Sequence, residues 1–231
     1  MHRRPILASS VVLAALALPT TASAAIIEVG KAGPAATPSC PKPCYAINHT
    51  TGFQSRVAGT AGTMTIPQDG RIVAWTIALG APGKKQVAFF NRTQGGQSTA
   101  QITVLRAGTK ARLRVMGQGE PQRLQPFFGT TVQFPLQQTI AVKKGWIVGL
   151  TVPTWAPALA VSLGGNTAWR AARPKGSCDE TQTQTAQTSI TQLAQYWCLY
   201  RTARLTYSAT LIPTPKPPKP KTPKKKATTR R

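Results

Sequence analysis

Short apolar stretches separated by turn residues recur along this chain, and most alternate with polar positions at the period of two that marks a strand. Residues 110–116 alternate strictly: Ala111, Leu113 and Val115 would face a core, with Lys110, Arg112 and Arg114 turned outward. Over 71–79, Val73, Trp75, Ile77 and Leu79 share one face and Ile72, Ala74, Thr76 and Ala78 the other. Both faces are nearly apolar, which predicts a strand in the middle of a sheet. Further strands are predicted over 46–48, 64–66, 86–90, 99–106, 127–128, 131–134 and 139–142. A closing strand over 201–212 sets Leu205, Tyr207, Ala209 and Leu211 inward. The Thr- and Gly-rich 50–62 reads as a loop or ragged edge, 167–170 as an edge strand, 173–187 as a long loop, and 190–200 as strand or helical turn. No stretch ahead of the closing strand has the period of a long helix.

Residues 146–163, WIVGLTVPTWAPALAVSL, form the longest apolar run outside the N-terminus, eighteen positions without a charge. That length raises a membrane span. Pro153 and Pro157 argue against it, since each removes a helical donor and clashes with a preceding carbonyl. The run instead predicts two buried strands, 146–152 and 158–163, joined by a corner at 153–157. Regularly spaced short strands around such a centre predict an all-β fold: a single antiparallel β-sandwich of jelly-roll type over 46–212, with no transmembrane span in the mature chain.

The ends of the chain have a different character. His2, Arg3 and Arg4 precede an apolar run at 6–18 and the small residues Ala22 and Ala24, the order of a secretory signal peptide over 1–24. A secreted or cell-surface protein is expected. Residues 25–45 read as an irregular arm carrying the first cysteine pair. Four cysteines in an exported chain imply two disulfides. Three pairings are open, and Cys40 with Cys44 beside Cys178 with Cys198 is favoured, because the second would close an otherwise unordered polar loop. Residues 213–231 carry proline at every second or third position among lysines, and predict a disordered, extended basic tail.

Charge sharpens this picture. Lys and Arg number 29 against five acids; two lie in the leader and eight in the tail, which leaves 19 against five in the globular part. A field of that sign gathers polyanions, and salt weakens it.

DGRIVAWTIALG, QVAFF, AVKKGWIVGLTVPTWAPALAV and the closing CLYRTARLTYSATLI together resemble a group of exported β-sandwich proteins of actinobacteria with no assigned function. The likeness spans most of 40–212 and is most specific at TVPTWAP. It implies an antiparallel sandwich and carries over no site residues.

The inventory for catalysis is thin. The mature chain has one histidine, His49, and the acids Glu28, Asp69, Glu120, Asp179 and Glu180. Asp69 with Glu120 is the one pair separated enough in sequence to serve a hydrolase, and both stand in turn-like sequence. No enzyme, cofactor or metal site is expected, since no His, Cys, Asp and Glu cluster has ligand spacing. Trp155 and Trp169 could form a platform for sugar rings, the alternative of a carbohydrate-binding module. The favoured expectation is a non-catalytic protein retained at an anionic envelope polymer or surface. Its contacts would be Arg106, Lys110, Arg112 and Arg114 with the tail residues Lys216, Lys219, Lys221, Lys224, Lys225 and Lys226. Aromatic residues are absent from the tail, so specific nucleic-acid recognition is not expected.

Overall fold

A computed structural model describes residues 25–179 and 186–215. The expected leader, Glu180 and the tail lysines Lys216, Lys219, Lys221, Lys224, Lys225 and Lys226 lie outside the described residues. In chain order the elements begin with β1 (Ile27–Val29), β2 (Ile47–Val57), β3 (Thr60–Ala61), β4 (Gly70–Ala78), α1 (Lys84–Thr93), β5 (Thr99–Ala107), β6 (Arg112–Gln118) and β7 (Gln122–Arg123). A 3-10 turn at Gln125–Phe127 leads into β8 (Thr131–Val142), β9 (Ile147–Ala156), β10 (Leu159–Ala160) and β11 (Ala168–Ala171). The described elements end with β12 (Leu193–Gln195), β13 (Cys198–Arg201), β14 (Arg204–Leu205) and β15 (Tyr207–Pro213).

Eight of these strands make the frame: β1, β2, β4, β5, β6, β8, β9 and β15. The first pairs with the last, the second with the seventh, the third with the sixth and the fourth with the fifth, all antiparallel. That is one long hairpin rolled up so that its pairs fall in two sheets, β1-β15-β4-β8 against β6-β5-β9-β2. The winding is a jelly roll, as the strand spacing predicted. Segments between β9 and β15 widen the second sheet, with β11 and β13 beyond β2 and β12 beyond β6.

One core fills the space between the sheets. Ile72, Trp75 and Ile77 of β4 meet Ile102 and Val104 of β5 and Val148 and Leu150 of β9, all fully buried. A bulge between Ile72 and Ala74 resets the alternation, so Ile72 joins Trp75 and Ile77 in the core and Val73 is only half-buried. The Tyr207 hydroxyl crosses between the sheets and donates to the Val148 carbonyl at 3.0 Å. Both favoured disulfides are present, Cys40 with Cys44 and Cys178 with Cys198.

Several local expectations are corrected. Residues 86–90 are helical: the Gly83 amide donates to Gln86 Oε1 at 2.8 Å and starts α1, and five residues are too few to tell the two periods apart. The expected corner at 153–157 is strand as far as Ala156. Pro153 is tolerated there because its neighbour β2 bulges between Asn48 and Thr50, with His49 at φ 41°. The expected loop at 50–62 is largely β2, a central strand whose Thr50, Thr51 and Gln54 are buried. The arm contributes β1, 131–142 is one strand, and 127–128 closes a 3-10 turn. Residues 64–66 make only a bridge from Thr65 to Ile147. The expected edge strand near 167 is internal, paired with β2 and β13.

The outer face of the second sheet is covered by the chain around Gln187. Thr151 lies at the centre of a buried hydroxyl chain, with Thr51 at 2.9 Å and Thr103 at 2.6 Å. The Gln187 amide donates to Thr51, and the Tyr196 hydroxyl donates to Gln187 Oε1. Every member has a partner, which is the condition for burying such groups at little cost.

Candidate functional site

The β5–β6 register sets Arg106 opposite Arg114. Arg112 lies two residues from Arg114 and therefore on the same side of β6. The three arginines with Ala107, Gly108 and Leu193 line a depression of about 250 Å³ to which no described residue contributes a carboxylate. Arg114 is held in place by donating Nη1 to the Thr191 carbonyl at 2.8 Å. Arg106 and Arg112 are exposed at the rim. Like charges directly across a strand pair repel, so a counter-charge laid over them is favoured.

Lys110 does not belong to this strand face. It and Ala111 both have φ 55° in the turn joining the strands, closed by the Arg112 amide on the Thr109 carbonyl at 3.1 Å. Two central residues of positive φ match the twist that a tight hairpin needs, and this consumes the first two positions of the expected alternation. The basic strand face is Arg106, Arg112 and Arg114.

Trp155 and Trp169 do not form a platform. Trp155 is wholly buried; its indole N–H donates to Asn91 Oδ1 at 3.1 Å and the Gly96 carbonyl at 3.0 Å. Phe90 of α1 and Phe128 pack on its ring at 4.8 and 5.4 Å, so it anchors the helix to β9. Trp169 is 5% exposed and stacks on Tyr200 at 4.6 Å. The exposed tryptophan is Trp197, under the Lys175 ammonium at 5.5 Å.

Asp69, Glu120 and Glu28 accept hydrogen bonds that join parts of the fold. Asp69 accepts from the Lys144 amide just past the end of β8 at 2.8 Å, and Glu120 from the Gln138 amide within β8 at 3.4 Å. Glu28 accepts from Ser208 and Thr210 across the β1–β15 pair. His49 occupies the β2 bulge. Among the described residues no three His, Cys, Asp or Glu side chains come together as a metal site.

A second site was not legible from the sequence. A cleft of about 440 Å³ opens beside β11 and β13, lined by Tyr45, Leu159, Val161, Trp169, Arg173 and Tyr200 among others. Arg173 is 4% exposed. Its Nη1 donates to the Cys178 carbonyl at 3.0 Å and to the Tyr200 hydroxyl at 2.5 Å, and Tyr200 in turn donates to the Cys178 carbonyl. The Cys178–Cys198 disulfide ties this loop to β13. Arg173 Nε and Trp169 Nε1 are buried without a hydrogen-bond partner among the described residues. Burial raises the Tyr200 phenol above its ordinary range, against the opposing pull of Arg173, so it stays a neutral donor.

No protein-family model matches the chain, and no curated protein or solved structure matches it either, so the site has to be read from its own chemistry.

Proposed function

We propose that the chain is an exported, non-catalytic jelly-roll protein held at an anionic cell-envelope polymer or surface by the Arg106, Arg112 and Arg114 face together with its lysine-rich tail. The observation that carries this reading is the β5–β6 register, which gathers the arginines around a depression with no carboxylate among its described lining residues. The excess of 29 basic over five acidic residues supports it. Two disulfides are compatible with an extracellular place. Exposed guanidinium groups bind a polyanion by replacing its counterions, with little desolvation of either side, so the attraction fades with added salt.

Binding of the mature chain to purified anionic cell wall tests the reading. Retention at low salt, lost at high salt and reduced in an Arg106→Gln/Arg112→Gln/Arg114→Gln variant, is the expected result. Retention unaffected by salt, by that variant and by deletion of 213–231 overturns it.

A further inference from the structure

The cleft beside β11 and β13 has the features of a built ligand site, independent of the arginine face. A buried guanidinium is costly unless its donors are met. Asp179, the described carboxylate whose charge reaches Tyr200, is itself exposed. In Arg173 one side is met: Nη1 serves the Cys178 carbonyl and the Tyr200 hydroxyl. The other edge is different. Nε has no partner among the described residues, and Nε with Nη2 is the edge that takes an oxyanion side-on with two parallel hydrogen bonds. Trp169 Nε1, a second unpartnered buried donor, belongs to another residue lining the same cleft. Two unpaired donors and no acceptor in need of a proton define the missing group as an acceptor, and the fixed positive charge defines it as an anion.

The remaining wall describes the rest of the ligand. Leu159, Val161 and the ring of Tyr45, which is 54% exposed, offer apolar surface next to the guanidinium. About 440 Å³ suits one small molecule or one terminal residue of a polymer. We propose that this cleft binds a small ligand, or the end group of a larger one, through a carboxylate or phosphate seated on Arg173 and the Trp169 indole N–H, with a compact ring body against Tyr45, Leu159 and Val161.

Nuclear magnetic resonance on the folded, disulfide-bonded chain tests the proposal, with the Trp169 indole cross-peak assigned from Trp169→Phe. The probes are glucuronate for a carboxylate, glucose 6-phosphate for a phosphate ester, inorganic phosphate for the bare anion and glucose as the neutral control. The expected result is a saturable shift of the Trp169 indole and Arg173 Nε–H signals with glucuronate or glucose 6-phosphate, weaker with inorganic phosphate and absent with glucose. Which of the two sugars saturates first identifies the source of the anion. Arg173→Lys keeps the charge but lacks the side-on edge, and weakens binding by about tenfold or more. Tyr45→Ala touches only an exposed ring and keeps the fold; it lowers affinity for the sugar anions while leaving that for inorganic phosphate unchanged. The absence of a saturable shift with every anion, equal binding by Arg173→Lys, or shifts confined to Arg106, Arg112 and Arg114 overturns the proposal. The last outcome would leave the envelope-binding reading intact.

Discussion

Arg106 and Arg114 stand directly opposite one another across the β5–β6 pair, two like charges where a sheet gains from unlike ones. The placement is a cost to the fold in the absence of a ligand. Replacing Arg106 with Glu turns the pair into an attractive one, and stability rises by about 0.2–1 kcal/mol at low ionic strength. Urea unfolding at low and high salt checks this: the gain shrinks as salt is added. The same variant binds anionic polymer more weakly than the wild type, so stability and retention move in opposite directions.

Trp155 is the largest side chain joining α1 to β9, and its indole N–H is fully bonded. Trp155→Ala leaves a cavity under Phe90 and Phe128, takes the indole donor from the Gly96 carbonyl and leaves Asn91 Oδ1 with the Gln125 amide. It costs about 3–5 kcal/mol in thermal or urea unfolding. Wild-type stability in Trp155→Ala would contradict the anchoring role.

The Cys178–Cys198 bridge closes a loop of sequence separation 20, and Cys40–Cys44 one of only four. Loop-closure entropy then assigns the larger effect to the first, about 3 kcal/mol. A Cys178→Ser/Cys198→Ser variant falls in melting temperature more than Cys40→Ser/Cys44→Ser. It also releases Arg173 from the Cys178 carbonyl, which broadens the Trp169 indole signal.

Alkaline pH destabilises the fold. Burial raises the phenols of Tyr196 and Tyr207 well above the ordinary range, with their mutual repulsion adding to the effect at Tyr196. Unfolded tyrosines ionise near pH 10, so their contribution is complete below about pH 10 and is lost as the pH climbs from there toward the folded values. Urea midpoints measured from pH 7 to 11 fall above about pH 10, and Tyr196→Phe flattens that fall. An unchanged slope in Tyr196→Phe would contradict the assignment.

Much of the jelly roll was legible in the chain because β6 and β15 alternate apolar with polar side chains and β4 is nearly apolar on both faces. The second strand was not. Thr51 and Gln54 of β2 are buried through partners on other strands and on the Gln187 segment, and a threonine whose hydroxyl is met by tertiary contacts looks in sequence like a surface threonine. Pro153 suggested a corner because the bulge that accommodates it lies on β2, about a hundred residues away in the chain. Arg112 and Arg114 were legible from alternation and Arg106 only from its nearness in the sequence, whereas Lys110 was lost to the turn. Arg173 was invisible, since its burial depends on Tyr200, the Cys178 carbonyl and a disulfide, and nothing local marks it among the other basic residues.

The most direct test of the arginine face is the salt dependence of binding to a defined polyanion, inorganic polyphosphate. Affinity is measured from low to moderate salt for the wild type and for Arg106→Gln/Arg112→Gln/Arg114→Gln, both with 213–231 removed. A phosphate that no arginine neutralises keeps its counterions, so the slope of log affinity against log salt becomes shallower by about 2 units in the triple variant. Equal slopes and equal affinities would contradict the account.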